Sequence, residues 1–379
     1  MIYFSSIDKL KIEALLLNWR TEFPNMGVLA MVPEAEKSQV LKLQALCRRH
    51  QIPLCGAIFP QLIYGNEFHC SGICLLRFDI MPYVALHTGV LDDTLASAQA
   101  IALGVSPELI DDIPATLFLL LDGLLPHIST LLDELYLRLA NRVHYAGVNA
   151  GSESFQAMPC LFDSYRLVGN AVLVILLKPH RGAVLEHGYQ TQAQSLHATS
   201  TDGNRIIHID WRPAFEVYQE LVRAEFGVDI TRENFYSYAV HFPFGILRAN
   251  HCTLVRIPVM LDEDNALFCI GEVPAHSMLT LLAAPRVDSV NTVETLQQGL
   301  TELRGNPEAN GVLLFYCAGR RQHMGQAAAV EELRLFSEVT RPAAVAGALA
   351  LGEIGKSTLW GYPLFQNATL VTADWEIGQ

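Results

Sequence analysis

Short apolar runs alternate with amphipathic stretches along most of the chain. Gly27–Pro33 is one such run, and residues 53–60 and 72–78 form two more. Apolar runs of this length, without alternating polar positions, are typical of strands that are covered on both faces of a sheet. Between the first two runs, residues 34–50 carry apolar side chains at helical spacing (Val40, Leu41, Leu43, Leu46 and Cys47). The pattern therefore predicts a strand, a helix and two further strands.

The same order recurs twice later in the chain. The second copy has strands over 115–121, 143–151 and 167–177 and a helix over 127–141. The third has strands over 311–317, 343–352 and 363–372 and a helix over 326–339. The second strand of each copy has a glycine at its centre, and these are Gly56, Gly147 and Gly347. Glycine in a buried strand permits close approach of a neighbouring backbone or of a ligand, and the sequence leaves both readings open.

Three copies of a strand–helix–strand unit predict an α/β protein of mixed α+β character. Its mixed sheets would be covered by helices and arranged in two interlocked domains. Between the second and third copies the pattern of apolar and polar residues changes. Residues 183–209 alternate polar and apolar positions, and short apolar runs follow at 256–259, 267–270 and 278–282. This part predicts antiparallel strands, with an amphipathic helix over 213–226.

Composition excludes several classes of function. Hydrophobic residues make up 51% of the chain and the net charge is −13, so neither a disordered tail nor a nucleic-acid or anionic-lipid binder is expected. No apolar run reaches the roughly 20 residues of a membrane span, and the first residues do not read as a signal peptide. Eight cysteines at irregular spacing predict free thiols in a cytoplasmic protein.

The third copy carries a recognisable signature. Cys317 and Arg320 follow its first strand, Glu331 and Glu332 lie on its helix, and the stretch 346–355 contains Gly347 and Glu353, with Asn367 and Thr369 further on. This pattern resembles the C-terminal domain of the FIST family. Upstream, residues 145–151, 169–177, 187–189 and 213–218 look like the N-terminal FIST domain and its junction. The resemblance implies an N-terminal domain over 1–212 with two copies of the unit and a C-terminal domain over 213–379 with one.

The FIST resemblance implies a function as well. The family is described as a sensory, ligand-binding module of intracellular signalling. Some stand-alone bacterial members are haem proteins that sense nitric oxide and regulate a histidine kinase or a cyclic-di-GMP enzyme (a diguanylate cyclase or phosphodiesterase). By this comparison the chain is expected to be a stand-alone sensor, without nucleic-acid or membrane partners, that passes its signal to another protein. Formation of a homo-oligomer is left open.

No enzymatic activity is expected from the motifs. The sequence lacks a P-loop, a Rossmann glycine fingerprint, a Gly-x-Ser-x-Gly elbow, a His-Glu-x-x-His pair and a Cys-x-x-Cys-His haem attachment site. His69, Cys70 and Cys74 are close in sequence, but no second pair completes a zinc set. A thiol enzyme built on Cys317 would need a base, and the nearest histidine that follows is His323.

The neighbourhood of Cys317 offers two readings. Arg320, Arg321 and the amides of a turn at Gly319 would favour a thiolate, and Arg320 could bind a carboxylate or phosphate ligand. Alternatively Cys317 is a packed strand end, and Arg320 pairs with Glu331 or Glu353. The glycines around Glu353 suggest a turn with special dihedral angles, which Asn367 could anchor. The candidate ligand-binding residues are Cys317, Gly319, Arg320, Gly347, Glu353 and Asn367.

A b-type haem would need an axial ligand in an apolar pocket, and a neutral histidine is one option. His187 is the first candidate, since it follows an apolar strand within a His-Gly-Tyr motif, and His144 and His241 come next. A histidine of this kind is more often a structural residue than a ligand, so both readings stay open. Without haem, two alternatives remain. One is a sensor of amino-acid-like anions that uses Arg320, and the other is a scaffold that recruits partners through an exposed apolar patch.

Overall fold

The computed structural model describes residues 1–248, 252–285, 290–304, 311–356 and 362–375. Within these ranges the chain is a mixed α/β protein with four β-sheets, which confirms the fold class predicted from the sequence. Among the described residues, no helix has both the length and the hydrophobicity needed to cross a membrane.

The first two copies of the repeat, units one and two, lie in the first half of the chain. Unit one consists of β1 (Ile2–Phe4), α1 (Lys9–Glu22), β2 (Gly27–Pro33), α2 (Val40–Arg49), β3 (Leu54–Phe59), β4 (Leu62–Tyr64), β5 (Glu67–His69) and β6 (Ile73–Phe78). Unit two consists of β7 (Tyr83–Thr88), α3 (Thr94–Val105), β8 (Thr116–Asp122), α4 (Ile128–Leu139), β9 (His144–Ala150), β10 (Leu161–Asp163), β11 (Leu167–Val168) and β12 (Ala171–Leu177). Short 3₁₀ turns cover Glu34–Gln39, Ser106–Glu108 and Ala140–Arg142.

Unit three is interrupted by an antiparallel unit. It begins with β13 (Ala183–Glu186), after which the antiparallel unit contains β14 (Gln190–Thr191), β15 (Leu196–Asp202), β16 (Arg205–Ile209), β17 (Arg212–Pro213), α5 (Ala214–Phe226), α6 (Phe235–Ala239), β18 (Phe244–Leu247), β19 (Thr253–Arg256), β20 (Pro258–Leu261), β21 (Leu267–Cys269) and β22 (Met278–Ala283). Unit three then resumes with α7 (Asn291–Arg304), β23 (Gly311–Cys317), α8 (Ala318–Met324), α9 (Gln326–Thr340), β24 (Val345–Ala350), β25 (Glu353–Gly355), β26 (Leu364–Gln366) and β27 (Leu370–Trp375).

The three units build six-stranded sheets of identical design. In each, two strands joined by a helical connection pair in parallel, namely β2 with β3, β8 with β9 and β23 with β24. The last strand of the unit (β6, β12 or β27) pairs antiparallel on the other side, and the first strand of the unit (β1, β7 or β13) closes that edge. The repeat predicted from the sequence is therefore confirmed by the strand pairing.

Each unit also sends a hairpin onto the sheet of another unit. The hairpin β4–β5 of unit one adds to β24 of unit three, β10–β11 of unit two adds to β3 of unit one, and β25–β26 of unit three adds to β9 of unit two. The exchange is cyclic, so the three units form a closed ring in which no sheet is complete on its own. We refer to units one to three together as the ring.

The repeat glycines have one structural role in all three units. A Cβ atom on Gly56, Gly147 or Gly347 would lie 2.1, 2.3 or 1.7 Å from the carbonyl oxygen of the strand residue opposite, which is Ala30, Leu119 or Leu314. Since real Cβ contacts do not occur below about 3 Å, only glycine fits these positions. Gly347, a candidate ligand-binding residue, thus allows close approach of a neighbouring strand.

The inner faces of the three sheets enclose one shared core. Within it the ring of Phe315 lies 5.9 Å from that of Phe59 and 6.2 Å from that of Phe118, so each unit contributes one aromatic side chain. The outer faces are covered by helices, as α3 and α4 do for unit two and α7 and α9 do for unit three. The antiparallel unit has a separate core beneath α5.

Candidate functional site

The signature residues of the third copy meet at the carboxyl end of β23. Cys317 ends this buried strand, and α8 begins at the next residue. The turn between β26 and β27 lies beside it, since the backbone N–H of Cys317 donates to the carbonyl of Thr369. The start of β25 lies there too, since the Cys317 side chain donates a hydrogen bond to Glu353. In open α/β sheets, ligands bind at the carboxyl ends of the parallel strands. The folding of the repeat therefore places the signature where a binding site is expected.

Arg320 is a buried clamp between segments of the chain. Its side chain is 1% exposed, and Nε and Nη2 donate to the two carboxylate oxygens of Glu332 at 2.9 and 2.6 Å. Nη1 donates to the carbonyls of His187, at 2.6 Å, and Ala368, at 3.2 Å. The Tyr316 hydroxyl donates to the same Glu332 carboxylate at 2.6 Å. Every guanidinium nitrogen thus bonds protein atoms.

The partner of Arg320 differs from both residues predicted from the sequence. Glu331 lies on the exposed face of α9 and pairs with Arg334, whereas Glu332 lies one residue further on, on the buried face. One residue rotates a helical side chain by about 100°, which decides between the two carboxylates. Burial alone would lower the pKa of Arg320, but the Glu332 carboxylate outweighs burial and raises it.

Of the two readings of Cys317, the surroundings favour the packed strand end over the thiolate. Burial, followed by the nearby Glu353 carboxyl group, raises the pKa of the thiol to about 12. Backbone N–H groups, including that of Gly319, oppose this shift but do not overcome it. The two arginines provide little field here because Arg320 is neutralised by Glu332 and Arg321 by Glu153, at 2.8 Å.

Glu353 is completely buried beside the thiol. Burial raises the pKa of its carboxyl group to about 8, although hydrogen bonds from Thr369 and Cys317 act in the opposite direction. Its Oε2 accepts from the Thr369 hydroxyl, while Oε1 has no partner of ordinary geometry among the described residues. Glu353 forms no ion pair with Arg320, and it is instead a carboxyl group that is easily protonated.

The glycines near Glu353 provide space and not special dihedral angles, contrary to the prediction. Neither Gly352 nor Gly355 has a positive φ. A Cβ atom on Gly352 would lie 2.5 Å from the Phe365 ring, and one on Gly319 would lie 2.6 Å from Ile257 Cδ1. Gly319 therefore lets α8 pack closely against the antiparallel unit.

Two buried asparagines flank this region. Asn367 donates to the carbonyl of Gln366 at 3.2 Å, and its Oδ1 has no partner among the described residues. It therefore does not anchor the turn at Glu353. Asn149 is fully buried and neither end of its amide has a described partner. Asn149 was not among the predicted site residues, although the repeat marks it. The residue two positions after the repeat glycine is Ile58 in unit one and Leu349 in unit three, so a polar side chain at this position in unit two is the exception.

Three adjoining cavities run from Cys317 across the surface of the ring. The inner chamber, of about 30 Å³, is lined by Cys317, Gly319, Gln322, Glu153, Phe155, Val259 and Ile270 among others. The inter-unit cleft, of about 390 Å³, lies between ring residues (Gly123, Leu124, Leu125, Ile128, Ser154 and Phe155) and residues of the antiparallel unit (Asn204, Val259, Met260, Phe268, Cys269, Ile270 and Gly271). The Asp122 cleft, of about 460 Å³, shares Leu124 and Leu125 with it.

Phe155 lines both the inner chamber and the inter-unit cleft, as Val259 and Ile270 also do. Its φ of +55° is unusual for a bulky residue and strained conformations of this kind occur often at functional sites. The loop that carries it is tied to α8 by the two hydrogen bonds from Arg321 to Glu153, at 2.8 and 2.9 Å. The loop thus forms a wall that is joined to the segment after Cys317.

Comparison with known families identifies the chain. The FIST N domain model matches residues 2–212, and the FIST C domain model matches residues 214–356. The chain belongs to the FIST family. FIST domains are sensory domains of signal-transduction proteins. No curated protein matches this FIST chain.

The three haem-ligand candidates of this FIST protein do not come together at one cavity. His187 Nδ1 accepts from the backbone N–H of Tyr189 at 2.9 Å, and the ring also bonds the carbonyl of Thr253. Both of its nitrogens are therefore engaged. The 550 Å³ cavity that it lines is bordered by polar side chains (Glu186, Gln190, Thr191, Thr253 and Gln366). This does not fit an axial ligand in an apolar pocket.

His144 and His241 lie elsewhere. His144 Nδ1 is 3.4 Å from Lys356 Nζ, and burial together with that lysine lowers the pKa of the ring to about 4. His241 Nδ1 is 2.8 Å from His323 Nδ1, and burial lowers the pKa of both rings. Neither His144 nor His241 lines the four cavities described above. Among the four cavities described above, none combines one of these histidines with an apolar lining.

Proposed function

We propose that this FIST protein is a non-enzymatic sensor whose small-molecule ligand lies in the inter-unit cleft. The observation that carries the proposal is the position of the cleft, which has one wall on the ring and one on the antiparallel unit. Its volume of about 390 Å³ lies within the usual range for small-molecule sites. A ligand that contacts both units would favour one relative arrangement of them over others, which is the physical basis of a signal.

The lining favours a neutral molecule with an apolar body. Leucine, isoleucine, methionine and phenylalanine side chains form most of the cleft wall, and polar contacts are available from Ser154, Asn204 and, at the chamber, Gln322 and the Cys317 thiol. The alternative, an amino-acid-like anion held by Arg320, has less support because that guanidinium is engaged by Glu332 and two carbonyls. A neutral ligand leaves this clamp intact.

The absence of catalysis is also part of the proposal. A nucleophilic cysteine requires a thiolate or an adjacent base, but burial raises the pKa of Cys317 to about 12. His323, the nearest histidine after it in sequence, bonds His241. The protein would therefore act by binding, and its output would pass to a signalling partner such as a histidine kinase or a cyclic-di-GMP enzyme.

A thermal-shift screen tests the ligand site. Neutral apolar compounds, carboxylates and haemin are each added to the purified protein, because a ligand that binds only the folded state raises its melting temperature. Met260→Trp should fill the cleft without harming the fold, since Met260 is exposed. Met278→Trp is the matched control, as Met278 is an exposed methionine of the same sheet that does not line the cleft.

We expect a neutral compound to raise the melting temperature of the wild type and of Met278→Trp but not of Met260→Trp. A shift that persists in Met260→Trp would contradict the assignment of the cleft. A response confined to carboxylates would favour the anion sensor instead. An absorption spectrum with a Soret band that is lost in His187→Ala or His241→Ala would replace the proposal with a haem-based gas sensor.

A further inference from the structure

Asp122 occupies in unit two the position that Cys317 occupies in unit three. In unit two the repeat glycine Gly147 lies opposite Leu119, and Asp122 comes three residues after Leu119. In unit three Gly347 lies opposite Leu314, and Cys317 comes three residues after Leu314. Each also ends the first strand of its parallel pair and lines a cavity beyond it. The repeat therefore places a carboxylate at the mouth of a second cavity, the Asp122 cleft, which the proposed function does not use.

The carboxylate of Asp122 is buried without a counter-ion among the described residues. Asp122 is only 7% exposed to solvent. Oδ1 accepts from the backbone N–H of Leu124 at 3.0 Å, and Oδ2 accepts from that of Asn170 at 2.7 Å. None of the lysine, arginine and histidine side chains in the described part of the chain forms an ion pair with it. Buried charges are normally paired, and each carboxylate oxygen here keeps a free lone pair.

The remaining walls of the Asp122 cleft are mainly apolar. Leu91, Leu125, Met158 and Pro159 line it, and Asp122 is its one charged lining residue among those described. The volume of about 460 Å³ suits a small organic molecule. An apolar cavity with a single buried negative charge is complementary to a ligand that has a hydrocarbon body and one cationic group.

We propose that the Asp122 cleft binds a small organic amine. The ammonium group donates to the Asp122 carboxylate, and the hydrocarbon part packs against Leu125 and Met158. This site is separate from the ligand site proposed above, although both share Leu124 and Leu125. An amine at Asp122 and a neutral ligand in the inter-unit cleft would therefore contact the same two side chains.

The test compares n-hexylamine with n-hexanol and hexanoate, each titrated into the full chain at pH 7.5 by calorimetry. The amine is protonated at this pH, as a lysine side chain is. We expect hexylamine to bind at least about tenfold more tightly than hexanol, since a charge-assisted hydrogen bond adds more than 1.4 kcal/mol, and hexanoate not to bind. Equal affinities for the amine and the alcohol would overturn the proposal.

Two variants locate the binding. Leu91→Lys places a tethered ammonium group at the rim of the cleft and should abolish the affinity for hexylamine. Leu95→Lys is the matched control, because Leu91 and Leu95 are both 52% exposed and only Leu91 lines the cleft. Asp122→Asn should weaken binding at least tenfold. Unchanged affinity in Leu91→Lys, or equal losses in both lysine variants, would overturn the assignment. Met260→Trp should leave amine binding unchanged, which keeps this test independent of the inter-unit cleft.

Discussion

The buried pair of Arg320 and Glu332 provides a direct test of whether the signature arginine is a structural clamp or a ligand contact. Arg320→Met removes both hydrogen bonds to the carboxylate and leaves the carbonyls of His187 and Ala368 without their donor. Breaking a buried pair by removing one partner costs about 3–5 kcal/mol, because the other charge remains buried and uncompensated. We therefore expect the free energy of unfolding to fall by about that amount.

The double variant separates the lost charge from the lost packing. In Arg320→Met/Glu332→Met neither charge is left in the interior, and replacing both members of a buried pair by apolar residues is often close to neutral. The Tyr316 hydroxyl then loses its carboxylate acceptor and keeps only the weak acceptor Met324 Sδ, at 3.2 Å, so recovery should be incomplete. The expected coupling energy is about 2–3 kcal/mol, with the double variant more stable than the sum of the single losses would allow.

Urea unfolding measured by circular dichroism and by tryptophan fluorescence is the assay, with coincident transitions as the check on two-state behaviour. Glu331→Gln is the control, because Glu331 is the neighbouring residue on α9 and its partner Arg334 is exposed. It should change stability very little. The reasoning would be refuted if Arg320→Met were no more destabilising than Glu331→Gln, or if the double variant lost the sum of both single effects.

Three further predictions concern Glu353, Cys317 and Gly347. Burial raises the pKa of the Glu353 carboxyl group to about 8, whereas its pKa in the unfolded chain is near 4.5. Between these pH values the folded protein keeps the carboxyl proton and the unfolded chain loses it. The free energy of unfolding should therefore fall as the pH rises from 4.5 through 8. Glu353→Gln removes this fall. The free energy of unfolding of the variant, measured in urea and compared with that of the wild type, should therefore increase from pH 5 to pH 8 by the order of a few kcal/mol. A difference between the two proteins that does not change with pH would contradict this. Cys317 should resist thiol reagents at pH 8 while the exposed Cys70 reacts, so Cys70→Ser and not Cys317→Ser should remove the fast phase of labelling. Gly347→Ala, whose Cβ would lie 1.7 Å from a carbonyl oxygen, should prevent stable folding, whereas Ala348→Gly should lower the melting temperature only modestly; equal effects would show that the strands can separate.

Much of the ring could be predicted from the sequence, because buried parallel strands leave a strong pattern. The predicted runs at 27–33, 311–317 and 326–339 match β2, β23 and α9 within one residue. The repeat glycines marked the second strand of each unit for a reason that the structure shows to be steric. The helices α1, α3 and α7 of the repeat were missed, and in α1 and α3 the apolar residues do not gather on one side of the helix.

The exchange of hairpins could not be predicted, since it depends on which sheet edges meet in space. The strands concerned have only two or three residues, as in β4, β10 and β25, and contain no pattern that names their partner. The predicted strand over 167–177 is in fact β11 followed by β12, which pair with different sheets. Sequence patterns report local burial, whereas the pairing partner is a long-range property.

The sequence could not decide between the two readings of Cys317 for a related reason. The sequence placed Arg320 and Arg321 beside the thiol, but charge acts through distance and pairing. Arg320 is neutralised by Glu332 on α9, and Arg321 is neutralised by Glu153 in the loop after β9, which is distant in sequence. The burial of Cys317 beside Glu353 then determines its pKa.

The cyclic exchange gives a reason why a small ligand could affect the whole protein. Glu353 begins the hairpin that unit three places on β9 of unit two, and its carboxyl group lies beside Cys317 at the end of β23. On the other side, the loop of Glu153 follows β9 and is tied to α8 by Arg321. The inner chamber thus lies between the two connections of units two and three, which are the paired hairpin and the Arg321–Glu153 ion pair. The inter-unit cleft is lined in addition by residues of the antiparallel unit. A ligand in these cavities therefore contacts the junctions between units, and the free energy of binding bears on how the units are held together.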